Sequence, residues 1–244
     1  MACEAVYMRR DRQRRRVVYL GACVVGLPLL LVVLAQLLLP TLAARRVRDR
    51  VARYGTVRSV SVSAFPAVKL LWGKADTVDV SAGALSVQLS QIAALLWEAR
   101  EADSMNVTAA AATLKAVPEL PEGLTVNDLR MEKHGSTISA SATLTQQQLD
   151  KALPSGFHIE PTASGGGQVE ARASGGLFGV QASITALVKP LEGRLVAEPQ
   201  GFPLASLGTV TLFSDTRLRV GSVGVRVLRA QPLTYGLSLA ATLV

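Results

Sequence analysis

The sequence predicts an α+β protein in which an N-terminal transmembrane helix is followed by a long, curved antiparallel sheet wrapped around one or two helices. An uncharged segment over 17–39 predicts the first element, and alternation of apolar and polar residues after Gly55 predicts the sheet. The chain is 49% apolar but only 5% aromatic. Its core is therefore built mainly from aliphatic side chains, which suit extended strands.

The first 39 residues divide into a basic cytoplasmic tail, 1–16, and a transmembrane helix, 17–39. At about 1.5 Å per residue, the second segment is long enough to cross a hydrocarbon core of roughly 30 Å. Six arginines precede it and five follow it. The larger number before it predicts a single-pass protein with a cytoplasmic N-terminus and an outward-facing domain. A cleaved signal peptide is the alternative, although the apolar core of such a peptide is usually shorter.

Residues 40–54 are predicted to form a juxtamembrane helix, because apolar residues recur at helical spacing between arginines and Gly55 follows as a stop signal. Two roles stay open for it: a solvated spacer, or a basic face held against anionic headgroups. Residues 1–54 hold eleven arginines against three acidic residues, so the net charge of +8 lies there and residues 55–244 are neutral. A neutral domain lacks the electrostatic footprint of a nucleic-acid-binding protein.

Residues 55–244 are predicted to form one α+β domain in which short Gly-containing turns join neighbouring strands as antiparallel hairpins. The clearest alternating runs cover 138–144, 178–188 and 235–243. Helical periodicity follows Ser90 and Thr145, both suitable N-cap residues, and these two helices are expected to fill the concave side of the sheet. Residues 157–168 are predicted to form a loop.

The sequence contains no motif that indicates catalysis. A nucleophile elbow, a Walker loop and a dinucleotide-binding glycine pattern are all missing from the sequence. His134 and His158 each lack a neighbouring Cys or His, so a metal site is not expected. Both cysteines, Cys3 and Cys23, precede the domain. We therefore expect a protein that is not an enzyme and that uses neither a metal nor a cofactor.

An apolar block lies between two strands in the segment SAFPAVKLLWGKADTVDV, residues 63–80. Pro66 suits the first turn of a short helix and Gly73 suits its end. This block, followed by KADTVDVSAGAL and an amphipathic helix, is similar to the start of the LmeA-like phospholipid-binding family of actinobacterial and cyanobacterial envelope proteins. The C-terminal run RLRVGSVGVRVLRAQPLTYGLSLAATLV resembles the ending of that family. The resemblance implies a curved sheet like that of tubular lipid-binding domains, placed outside a bacterial cytoplasmic membrane.

The predicted function is passive binding of phospholipid, extending to lipid transfer, by a membrane-anchored protein of the bacterial cell envelope. Its expected partners are phospholipid and the membrane, and no nucleic acid. The residues predicted to line an apolar groove for acyl chains are Phe65, Val68, Leu70, Leu71, Trp72, Ile92, Leu95, Leu96, Phe178, Val180 and Ile184. The alternative is a non-catalytic structural or interaction domain with a fully packed core, because alternation requires burial without showing against what.

Overall fold

The computed structural model describes residues 34–115, 123–153, 155–177, 180–200 and 208–244. Twelve strands are described there: β1 (Gly55–Ser63), β2 (Ala75–Gln88), β3 (Ala102–Lys115), β4 (Leu124–His134), β5 (Thr137–Thr145), β6 (Phe157–Gly165), β7 (Gln168–Leu177), β8 (Val180–Leu191), β9 (Arg194–Gln200), β10 (Val210–Phe213), β11 (Leu218–Ala230) and β12 (Leu233–Leu243). They form a seven-stranded sheet of order β1-β2-β3-β4-β5-β12-β11 and a five-stranded sheet of order β10-β9-β8-β7-β6.

Apart from the first, the described helices have ten residues or fewer. The described helices are α1 (34–51), η1 (Ala67–Trp72), α2 (Leu89–Glu98), η2 (Ala99–Glu101) and α3 (Gln146–Ala152), where η marks a 3-10 helix. Thr145 caps α3 through a capping box with Gln148, as its sequence indicates. Two of these elements, α2 and η2, connect β2 to β3, and those two strands pair in parallel. A parallel pair needs such a crossover, whereas all other pairs here are antiparallel and mostly joined by shorter connections.

One face of the seven-stranded sheet forms the core. Val62, Met105, Ile138 and Ala241 lie in one register row across it, so their side chains share that face. α2 packs on this face through its buried residues Ala93 and Leu96. α1 packs farther along it, where Ala43, Ala44 and Val47 contact Val62, Ala75 and Ala102. Both helices therefore cover the same side of the sheet.

A lysine interrupts this apolar face. Lys133 lies in the same register row on β4 and has 0% of its surface exposed. Its Nζ donates hydrogen bonds to the carbonyl oxygens of Arg100 and Ala102, where η2 ends and β3 begins. Burial lowers the pKa of the Lys133 ammonium, although the carboxylates of Asp103 and Glu101 oppose this shift. The ammonium thus ties the crossover helix to the middle of the sheet.

The five-stranded sheet meets the other sheet by its turns. The backbone N–H groups of Val220 and Val223 on β11 donate to the carbonyls of Gly193 and Gly167, at 2.8 and 3.0 Å. The Val225 N–H donates to the Ser164 hydroxyl oxygen at 2.9 Å. β11 is the last strand of its sheet, so these turns satisfy donors on an edge that would otherwise be open. Gly193 has a φ of 81°, in the left-handed region that favours glycine.

The seven-stranded sheet has two distinct ends. At one end, which we call the η1 end, Ser63 lies level with His134, Thr242 and Arg219. At the other, which we call the hairpin end, Thr145 lies level with Thr234 and the β11–β12 turn follows. The two levels are about 26 Å apart along β12, at roughly 3.3 Å for each of the eight residue steps from Thr234 to Thr242; two bulges make the same interval longer in residues on β11.

Several predictions about the fold are wrong. The strands form two sheets instead of one long antiparallel sheet around helices, and β2 pairs with β3 in parallel. Across the described ranges, no helix has both the length and the apolar character needed to cross a bilayer, so the single-pass anchor and the location based on it are not supported. Of the segment predicted to span the membrane, residues 17–33 lie outside the described residues, as does the tail 1–16.

Candidate functional site

The apolar block found in the sequence projects from the η1 end. It forms η1, which begins after Pro66 and ends at Gly73, where a φ of 75° allows the following Lys74 N–H to bond back to the Lys69 carbonyl. Phe65, Leu71 and Trp72 are 79%, 66% and 70% exposed. A segment with this composition would normally be buried. Here the short helix holds its largest apolar side chains in solvent.

The carboxylate of Asp76 fixes this segment in place. The Phe65 N–H donates to Asp76 Oδ2 at 2.6 Å, and Lys69 Nζ donates to Oδ1 at 3.1 Å. The backbone hydrogen bond is the main reason that the pKa of Asp76 lies below its usual value, and the Lys69 ammonium adds to the effect. The start and the middle of the exposed block are therefore anchored to Asp76, the second residue of β2.

α1 continues the exposed apolar surface. Leu70 packs into the same buried cluster as Ala43 of α1. Leu42 precedes Ala43 and Leu71 follows Leu70 in the sequence, and both leucines are exposed. We call this surface the apolar tip; its members are Phe65, Val68, Leu71, Trp72, Leu37, Leu38 and Leu42.

Arginines follow the apolar tip along α1. The exposed face of the helix changes from leucine before residue 43 to arginine after it. The exposed arginines are Arg45, Arg46, Arg48, Arg50 and Arg53. Arg50 is paired with Glu98 at 2.6 Å. An apolar surface bordered by cations is typical of proteins that lie on an anionic bilayer.

The predicted groove residues on α2 have a different environment. Leu96 is 5% exposed and packs in the core with Met105 and Ile138. Ile92 is half-buried against the same cluster, and Leu95 is also half-buried. These residues hold α2 on the sheet and do not form an open groove.

The five-stranded sheet carries a second apolar surface. Ile159, Ala173 and Ile184 form one register row, and Val169, Val188 and Ala197 form another on the same face. Only Val169 and Val196 are fully buried in the described part of this sheet. Of the predicted groove residues on this sheet, Ile184 is half-buried. The side chain of Val180 and all of Phe178 lie outside the described residues. Apart from β11 and α3, little of the described chain packs on this sheet.

Two depressions on the surface are mainly polar. The first, of about 460 Å³, is lined by Gly156, His158, Ser174, Gly175, Gly176, Ala182 and Ser183. The second, of about 350 Å³, lies on the outer face of the seven-stranded sheet beside Arg58, Asn106, Arg130 and Glu132. Neither is the hydrocarbon-lined groove expected between sheet and helix.

His158, at the first depression, belongs to a histidine–carboxylate pair that the sequence did not indicate. His158 Nδ1 lies 2.8 Å from Asp150 Oδ1, and Ser174 lies opposite His158 on the neighbouring strand. Within the described ranges, no hydrogen bond joins a serine to this imidazole, and no cluster of three or more ligands could hold a metal. Gln146 extends the network to Asp150 and to the Tyr235 hydroxyl. Its contacts join α3 to both sheets.

Comparison with known proteins identifies no relative: no family model, curated protein or solved structure matches the chain. Membership of the LmeA-like family stays a prediction.

Proposed function

We propose that this protein binds phospholipid at the surface of a membrane and acts by passive uptake of acyl chains, without catalysis. The observation that carries the proposal is the apolar tip, an ordered and exposed apolar surface next to arginines. At roughly 150–250 Å² for an aromatic side chain, the 79% and 70% exposures of Phe65 and Trp72 leave roughly 300 Å² of aromatic surface in water. A contiguous patch of that size commonly marks a binding site.

The free energy available from this surface is large enough for membrane contact. At about 25 cal/mol per Å², transfer of roughly 300 Å² into hydrocarbon is worth about 7 kcal/mol. Contact with the headgroup boundary yields part of that, and each arginine near an anionic surface adds about 1 kcal/mol. The tip is also ordered in advance by Asp76 and Gly73, so little conformational entropy is lost on contact.

The five-stranded sheet supplies a surface for acyl chains. Its apolar face is lined by small residues such as Ala171, Ala173 and Ala186, with Ile184 at one side, and is only half-buried. Each methylene group that leaves water on this face gains about 0.8 kcal/mol. The headgroup would stay in water, which needs no buried charged site.

The alternative function is a structural or interaction domain of the envelope. The packing of Leu96 in the core and of Ile92 against it favours this alternative, because both residues were expected to contact lipid. If the protein is such an interaction domain, a partner protein would cover the apolar tip.

The two tryptophans allow a direct test. Trp72 is in the apolar tip, whereas Trp97 is half-buried beside the Arg100 guanidinium, 4.6 Å from its ring centroid. In full-length chains that retain one tryptophan each, Trp97→Phe and Trp72→Phe, emission is measured on vesicles whose acyl chains carry bromine. We expect strong quenching of Trp72 and weak quenching of Trp97. Equal weak quenching of both, with the protein bound to the vesicles, would rule out insertion of the tip.

Lipid uptake needs a separate measurement. We expect the full-length chain to carry extractable phospholipid and to move a fluorescent phospholipid between donor and acceptor vesicles. If Trp72 is quenched but no lipid is carried or moved, the protein is a membrane-surface domain of the alternative class.

A further inference from the structure

We propose that the β11–β12 hairpin is a second bilayer contact, so that one molecule bridges two anionic membrane surfaces. This inference rests on the proposed function and extends it from binding to transfer between membranes. The hairpin lies at the end of the seven-stranded sheet opposite to the apolar tip, and its exposed residues have the same chemistry as the tip.

The exposed part of the hairpin combines aliphatic and basic side chains. Val227 and Leu228 are 60% and 45% exposed, and both Arg226 and Arg229, on either side of them, are exposed. No acidic residue occurs in the sequence from 216 to 244. The hairpin therefore presents cations without neighbouring carboxylates on its own strands, which suits an anionic lipid surface.

The packing of the two sheets leaves this region uncovered. The turns of the five-stranded sheet occupy the edge of β11 up to Val225, and every residue from 226 to 232 is exposed. A register shift between Val227 and Arg229 leaves Leu228 without a partner on β12. Its side chain instead lies over Gly236, where an added Cβ would come within 3.2 Å of it. Leu228 is thus held in a defined, outward position.

The geometry of the sheet separates the two contacts. β11 pairs with β12 from Arg219, level with the η1 end, to Arg229 in the hairpin; the partners Thr242 and Thr234 on β12 are eight residues apart, a span of about 26 Å at roughly 3.3 Å per residue. A bilayer bound at one end is therefore out of reach of the other end. The turns of the five-stranded sheet are attached to β11 between Val220 and Val225, at levels between the two contacts.

The test separates binding from bridging. Full-length protein is mixed with vesicles of equal parts phosphatidylcholine and phosphatidylglycerol; binding is measured by co-flotation and clustering by light scattering. The variant Val227→Asp with Leu228→Asp should still bind through the apolar tip, but cluster vesicles at least about fivefold less than wild type, because its second contact loses apolar area and gains negative charge. The matched control is Val210→Asp with Leu212→Asp on β10, the same residue types at 54% and 40% exposure. It should cluster vesicles like wild type.

Each outcome either supports or overturns the inference that the hairpin is a second bilayer contact. Equal clustering by the hairpin variant and wild type would overturn the inference, as would binding without clustering by wild type. Light scattering of the protein alone must show the same monomeric mass for wild type and variant, since clustering through protein dimers would also overturn it. A failure of the proposed function has a different signature, namely that wild type does not bind the vesicles at all.

Discussion

Lys133 offers a sharp test of how the core is held together. Its ammonium is fully buried and its donors are used by the carbonyls of Arg100 and Ala102. Lys133→Ala removes three buried methylene groups at about 0.8 kcal/mol each. It also leaves two carbonyls without their donor, at about 1–3 kcal/mol in all. We expect the free energy of unfolding to fall by about 4 kcal/mol.

Lys133→Met separates the side-chain packing from the charge. Methionine keeps most of the apolar length, and the cost of burying the ammonium disappears together with its hydrogen bonds. We expect a loss of about 1 kcal/mol, because an ion replaced by an apolar group of similar shape is often nearly neutral. Urea denaturation of the full-length chains at pH 7, followed by circular dichroism, measures both losses.

The pH dependence provides the second half of this test. Since burial lowers the pKa of Lys133 in the folded state, the unfolded chain binds more protons between the folded pKa and the ordinary value of 10.5. Stability of wild type relative to Lys133→Met should therefore rise as pH increases through that interval. Identical pH profiles for the two proteins, or a loss in Lys133→Ala no larger than in Lys133→Met, would refute this account of the buried lysine.

Three further changes probe the elements that position the surfaces. The folded-state pKa of Asp76 is lowered, so the stability that its carboxylate contributes is present above the ordinary value of 3.8 and is lost as pH falls through the folded pKa. In urea denaturation, the loss of stability caused by Asp76→Ala should therefore shrink as the pH falls through the same interval. A loss that persists in acid would contradict this explanation. Thr145→Ala removes the capping box with Gln148 and should cost about 1 kcal/mol in thermal unfolding, whereas Thr145→Ser should restore most of it. Gly193→Ala places a Cβ 2.9 Å from Arg219 Cγ at a positive φ and should cost about 1 kcal/mol. Faster hydrogen exchange at the Val220 amide would confirm that the turn has loosened, and unchanged exchange would contradict it.

The sequence predicted single elements better than their arrangement. Alternation located β5, β8 and β12, and Pro66 and Gly73 marked the limits of the short helix in the apolar block. Alternation carries no information about strand direction, so the parallel pairing of β2 with β3 was missed, although a helix between two strands is its signature. Residues 157–168 were predicted to form a loop but contain all of β6; Pro161 and the glycines interrupt the alternation of this strand.

The site was only partly predictable for a related reason. The sequence indicated an apolar block but not that Phe65, Leu71 and Trp72 would all be exposed while Leu70 is packed, since this depends on α1 covering one side of η1. The sequence did not indicate that Val227 and Leu228 would be exposed. These two residues are exposed because the turns of the other sheet reach only as far as Val225 along β11. The position of that last contact cannot be predicted from a single sequence.

The occupied edge of β11 also limits how molecules of this protein can associate. In the seven-stranded sheet, β1 and β11 are the edge strands, and the turns of the other sheet occupy β11 between Val220 and Val225. Two molecules can join through β1 into one continuous sheet, but each outer border of that pair is then open only along the hairpin part of β11. Growth into a fibre by strand addition to this sheet is therefore hindered.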